Sequence, residues 1–106
     1  ARDLLLKHPS VVTSGLAFCD ALTTITRTYG KKHAFWMCEQ FSQLPNLKIL
    51  TSNGQITRMA IENYKSMPLN PRQAMHLAYM QINNITQIAT FDSDFDKVKG
   101  IKRVKL

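Results

Sequence analysis

The sequence predicts an α/β domain built on a mainly parallel sheet, and three observations carry that expectation. Short β-branched or apolar runs at residues 11–13, 47–50 and 85–90 have the length and composition of strands. Long segments of helical period separate them, two between each pair of runs, and strands that alternate with helices feed parallel crossovers. The basic tail 101–106, IKRVKL, supplies a further strand candidate, and lysines suit an exposed sheet edge.

Taken in order, residues 1–7 read as the last turns of a helix stopped by His8-Pro9, since a residue before proline avoids helical geometry. The strand at 11–13 is followed by Ser14, an N-cap for a helix over 15–29 that ends at Gly30. Its core stripe is Phe18, Leu22, Ile25 and Tyr29, with Leu16, Asp20, Thr23 and Arg27 opposite. A second helix over 32–44 turns Ala34, Met37, Cys38, Phe41 and Leu44 inward and ends at Pro45-Asn46. Trp36 lies off that stripe and either packs under a loop or anchors a subunit interface. After the strand at 47–50, Ser52-Asn53-Gly54 turns into a helix with the stripe Ile56, Met59, Ala60, Tyr64 and Met67, closed by Pro68. Asn70-Pro71-Arg72-Gln73 is a strong start for the next helix, which runs to about residue 83. Asn70 is its N-cap, Pro71 its first helical residue, and Gln73 stands where a capping box wants Glu or Gln.

A chain of 106 residues with 44% hydrophobic content makes one compact domain. Fourteen Lys and Arg against seven Asp and Glu give a net charge of +7, which favours an anionic partner such as nucleic acid over a merely solvated surface. Cys19 and Cys38 lack metal-ligand spacing and read as reduced, packed thiols without a disulfide. No apolar run reaches membrane-spanning length and no signal peptide is recognisable, so a cytoplasmic location is expected. The chain opens without Met inside a helical pattern, which suggests that residues upstream of Ala1 belong to it.

Chemistry concentrates where the third apolar run, read as a strand buried on both faces, opens into Asp92, Asp94 and Asp96. Ligands of open α/β sheets bind at the carboxyl edge of the strands, and clustered carboxylates are costly unless a cation or substrate uses them. An EF-hand is excluded, because its loop would need glycine at Lys97 and glutamate at Arg103. A helix N-cap remains open for Asp92, since an Asp at a strand-to-helix junction often satisfies backbone N–H groups.

Thr90-Phe91-Asp92-Ser93-Asp94-Phe95, the helix Arg72-Gln73-Ala74-Met75-His76-Leu77-Ala78, and Val11-Val12-Thr13-Ser14 followed by Asp20 together resemble the PIN domain, particularly the VapC-like toxins. The resemblance covers essentially the whole chain. It implies a three-layer α/β/α domain and a metal-dependent endoribonuclease, in which acids at the carboxyl edge of the sheet hold Mg2+ or Mn2+. It also implies the toxin of a toxin–antitoxin pair as a context. Carried across, Asp92, Asp94 and Asp20 are the catalytic and metal-binding candidates, with metal expected between Asp92 and Asp20. Hard divalent cations favour carboxylate and water oxygens, lower the pKa of a bound water and stabilise charge on a phosphodiester under attack. As an ordinary helix residue off the core stripe, Asp20 would do none of this. Arg27, Arg72, Lys97, Lys99, Lys102, Arg103 and Lys105 are the candidate RNA-binding residues, through electrostatic contact with phosphates.

Two departures from the family pattern bear on catalysis. The acid expected at the start of the helix after Pro71 is Gln73, which carries no charge and is a poor hard-metal ligand. His76 one turn on is a lesser candidate for the groove and fits a structural role as well. The family's first strand, with its first acid, has no counterpart in this chain. The implied strand order 3-2-1-4-5 puts that strand between the runs at 11–13 and 85–90. Buried edges left there would strand N–H and C=O groups at about 1–3 kcal/mol each. Something is therefore expected to fill the slot: an N-terminal fragment, a strand exchanged within a homodimer, or direct pairing of the two runs. Two functions stay open, a PIN-type ribonuclease and a degenerate PIN-like module that binds RNA or protein without cleaving.

Overall fold

The computed structural model describes residues 11–90 and 92–104, so the expected opening helix, Phe91 and Lys105 lie outside the described residues. The chain divides into two compact units, Ala1–Thr51 and Ser52–Leu106.

In the first unit strand β1 (Val11–Ser14) leads into helix α1 (Gly15–Tyr29), then α2 (Lys31–Ser42) and strand β2 (Leu47–Leu50). The helix starts where the sequence places it, because the Ser14 hydroxyl accepts from Ala17 N–H and satisfies one of the orphan donors of the first turn. It ends at Gly30, whose φ of 93° and ψ of 165° define a conformation essentially reserved for glycine. The Gly30 N–H still reaches back to Thr26 O while its carbonyl opens α2 by accepting from Ala34 N–H. The two helices meet through Phe18 and Phe41, with ring centroids 5.7 Å apart. β1 and β2 pair in parallel, Val11 opposite Leu47 and Ser14 opposite Leu50.

Several expected core positions of this unit are not core. No residue of α1 is fully buried: Phe18, Leu22 and Ile25 are half-buried, and Tyr29 is 68% exposed. Tyr29 closes the last turn of its helix, where its ring lies 5.2 Å from His33. Leu16 and Asp20, expected on the outer side, are half-buried. In α2 the buried residue is Ala34, and Met37, about 60° round the helix from it at 100° per residue, is exposed. Cys19 is exposed rather than packed. Trp36 is 56% exposed, its ring 6.0 Å from that of His33, so it does not sit beneath a loop.

The second unit holds α3 (Gly54–Ser66), α4 (Pro71–Ile82), β3 (Gln87–Ala89), a 3₁₀ helix (Ser93–Lys97) and β4 (Lys102–Val104). Asn53 caps α3 by accepting from Ile56 N–H. The buried face of α3 is Ile56, Ala60 and Asn63, whereas Tyr64, expected on the stripe, is exposed. Geometry explains the exchange: Asn63 lies only about 20° round the helix from Ile56, while Tyr64 lies about 80° away. A polar residue on the buried face needs partners, and the Asn63 amide donates to Ala74 O and, at 2.8 Å, to Gln81 Oε1. Ala74 and Ala78 are fully covered, and α3 packs closely on the helix that carries them. Leu69, Leu77 and Val98 form a core cluster with Met67 and Ile101 against it.

Helix α4 carries specific signals at both ends. Its capping box is complete: Asn70 Oδ1 accepts from Gln73 N–H and Gln73 Oε1 accepts from Asn70 N–H. At the other end Asn84 adopts a left-handed φ of 57°, and Ile85 N–H and Asn84 N–H return to Met80 O and Gln81 O as in a Schellman motif.

β3 is shorter than the run at 85–90 and is not buried on both faces, since Gln87 and Ala89 are exposed and only Ile88 turns inward. Side chains alternate across a strand, so of the three residues of β3 only the middle one faces inward; among the described residues the strand has one bonded neighbour. β4 is that neighbour, parallel, with Ile88 opposite Arg103, so the basic tail is a strand as expected. The described residues thus hold four strands as two parallel pairs, β1–β2 and β3–β4. Both pairs are neighbours in the strand order that the resemblance implies.

Candidate functional site

The site grows from the carboxyl end of β3. Thr90 Oγ1 accepts from Asp92 N–H, and Asp92 Oδ1 accepts from Asp94 N–H, so Asp92 is the N-cap of the 3₁₀ helix. The capping role is therefore real for one carboxylate oxygen. The other oxygen, Oδ2, accepts from Gln73 Nε2, and the same nitrogen donates to Asp94 Oδ2 at 2.9 Å. Asp94 Oδ1 pairs with Lys97 Nζ at 3.2 Å. The Gln73 amide, and after it the Lys97 ammonium, hold the Asp94 carboxyl below its ordinary range. The third acid of the cluster stands apart. Asp96 forms a two-bond ion pair with Arg103 across to β4, at 3.0 and 3.1 Å, which also holds its carboxyl below the ordinary range.

Gln73 does more than close a capping box. Its oxygen serves Asn70 and its nitrogen joins two carboxylates, so both ends of the amide are engaged although only 6% of its surface is exposed. The sequence carried a usable signal: a capping box engages only the amide oxygen, and a buried NH2 group must find acceptors elsewhere.

Of the other candidates, Asp20 is half-buried on α1 and Arg27 is exposed in the last turn of that helix. Arg72, Lys99 and Lys102 are exposed and His76 is half-buried, whereas Lys97 and Arg103 are engaged by Asp94 and Asp96. Among the described residues, no three His, Cys, Asp or Glu side chains gather into a set that could hold a metal ion. Two carboxylate oxygens turned to one point have the hardness that Mg2+ or Mn2+ requires, but here that point is held by an amide N–H2 group.

A profile of the PIN domain matches residues 1–101. The chain belongs to the PIN domain family. Ribonuclease VapC6 of Methanocaldococcus jannaschii is 39% identical over 59 residues, which are 56% of this chain and 39% of that protein. The chain thus spans well under half the length of this curated relative. Among solved structures, Mycobacterium tuberculosis VapC20, described as a sarcin-ricin loop cleaving toxin, superimposes with a TM-score of 0.73 at 20% identity, over 90% of this chain and 75% of that one. VapBC2 from Rickettsia felis, bound to a DNA fragment from its promoter, gives 0.69 at 14% identity over 97% and 80%. DNA-bound VapBC from Salmonella typhimurium gives 0.67 at 14% identity over 97% and 79%. At these identities the structures establish the α/β PIN fold. No helix among the described residues is long and apolar enough to cross a membrane.

Proposed function

We propose that this PIN domain is an endoribonuclease of the VapC type, hydrolysing RNA phosphodiester bonds as the toxin of a toxin–antitoxin pair in the cytoplasm. The observation that carries the reading is the convergence of Asp92 Oδ2 and Asp94 Oδ2 at the end of β3, where ligands of α/β sheets bind. The ribonuclease name of the M. jannaschii relative and the toxin description of VapC20 support the same chemistry. The VapBC complexes among the structural neighbours support an antitoxin as partner. A homodimer completes the proposal.

Mg2+ or Mn2+ would be held by Asp92 and Asp94, and would supply an activated water and charge stabilisation at phosphorus. The protein's own residues bind and orient. Lys99 and Lys102, exposed on the loop to β4 and on β4 itself, and Arg27 and Arg72 draw the RNA backbone by charge. The 3₁₀ helix fixes Asp94 relative to Asp92 through the Asp92 cap.

A second reading, a PIN-like module that binds RNA without cutting it, is favoured by one observation: the Gln73 amide fills the point between the two carboxylates. The full-length protein separates the two. Incubated with structured RNA and Mn2+, it should cleave, and Asp92→Asn should lose that activity by about a hundredfold or more while still binding RNA in a salt-sensitive manner. RNA binding with no cleavage by either protein would select the binding module.

A further inference from the structure

The Gln73 side chain is locked at both ends. Its Oε1 accepts from the Asn70 N–H at 2.9 Å, and its Nε2 donates one proton to Asp92 and the other to Asp94. Flipping the amide to offer its oxygen to a cation would set the NH2 group against the Asn70 N–H, donor facing donor. The start of α4 therefore dictates that Gln73 presents nitrogen, and never oxygen, to the two acids. A divalent cation shared by Asp92 and Asp94 would need the same two Oδ2 atoms.

We infer that the Gln73 amide is a built-in plug: its Nε2 occupies the place between Asp92 and Asp94 that a divalent cation would take, so that cation and Gln73 compete for one pair of carboxylate oxygens. The inference rests on reading those two acids as the metal-binding pair. Two carboxylates held side by side repel unless a donor lies between them. Gln73 is such a donor, neutral and permanently attached, so the pair stays assembled without metal. Lys97, exposed, adds its charge to the far oxygen of Asp94. A cation then loads only by breaking two hydrogen bonds to charged acceptors, which are stronger than neutral ones.

The test is Mn2+ binding by calorimetry, with thermal unfolding in EDTA and in Mn2+, on the full-length protein, Gln73→Ala and Gln73→Glu. Removing the plug in Gln73→Ala should tighten Mn2+ binding at least tenfold, about 1.4 kcal/mol. Gln73→Glu keeps an oxygen for Asn70 but puts a third carboxylate at the site. It should melt below wild type in EDTA and gain more from Mn2+ than wild type does. The second variant keeps the test decisive if loss of the capping box leaves Gln73→Ala poorly folded. Wild type binding Mn2+ as tightly as Gln73→Ala, or more tightly, would overturn the plug, and so would Gln73→Glu melting identically in EDTA and Mn2+. Absence of Mn2+ binding in all three would overturn both the plug and the metal-binding pair. Mn2+ binding that strengthens in Gln73→Ala, without RNA cleavage by any of the proteins, would leave the plug standing and remove the ribonuclease reading.

Discussion

Residues 52–104 and residues 11–51 solve the same problem, burying helices against short strands, with different completeness. In the second unit Ile56, Ala60, Ala74, Leu77, Ala78 and Val98 are all buried, and the polar groups that share their environment are paired: Asn63 with Gln81, and Gln73 with Asn70, Asp92 and Asp94. In the first unit Ala34 and Ser14 are buried, yet Tyr29, Phe35, Trp36, Met37 and Ile49 face outward. The second unit has the larger buried core, although Ile61 and Tyr64 still face outward. The first keeps apolar surface of the kind that marks an interaction face when it is contiguous.

The largest effect that sharpens this contrast is Leu77→Ala. Leu77 has no exposed surface and sits in the cluster with Leu69 and Val98, so its truncation should cost about 2–5 kcal/mol in denaturant unfolding. In the first unit Trp36→Ala should change stability by less than about 0.5 kcal/mol, as exposed substitutions do, and act instead on the oligomeric state seen by light scattering. A Trp36→Ala loss as large as that of Leu77→Ala would erase the distinction between the units.

The helix starts give the next comparison. Ser14 caps α1 with one bond, whereas Asn70 belongs to a box whose partner also ties two carboxylates. Ser14→Ala and Asn70→Ala should each cost about 1 kcal/mol, since Asn70→Ala keeps the backbone N–H that Gln73 Oε1 accepts from, and Gln73→Ala should cost more, because it also unties Asp92 and Asp94. Equal losses for Asn70→Ala and Gln73→Ala in chemical unfolding would mean that the Gln73 bonds to the two acids add no stability.

Such local signals were the legible part of the fold. Ser14, Asn70-Pro71 with Gln73, and Gly30 act within a few residues of themselves, so sequence alone locates both ends of α1 and the start of α4. Burial was less legible, because it depends on what lies opposite. Tyr29 and Tyr64 satisfy a helical period, but one sits at a helix end and the other about 80° round from Ile56. At the site, Asp92 and Asp94 stood out as an acidic cluster at a strand end. The bonds from Gln73 join residues nineteen and twenty-one positions apart, and no local pattern encodes such a pairing.

The smallest effect concerns pH and sets the tied acids against the free surface. Gln73 and then Lys97 lower the folded-state pKa of Asp94, and Arg103 lowers that of Asp96. A carboxyl whose folded pKa lies below its unfolded one binds its proton more readily in the unfolded chain, so it favours the folded state while ionised. That contribution is complete above the ordinary carboxylate pKa of 3.8 and disappears as pH falls from there through the lower folded value. Both acids are solvent-accessible, and exposed ion pairs contribute little and are screened by salt. The Gln73 bonds to Asp94 are the part that salt should spare. Urea midpoints between pH 6 and pH 2 should therefore fall less steeply in Asp94→Asn than in wild type, with a difference that survives 0.5 M NaCl. In Asp96→Asn the corresponding difference should shrink in the same salt, since Arg103 is its main partner. Identical acid profiles for Asp94→Asn and wild type would show that the Gln73 bond does not distinguish the ionised from the protonated acid.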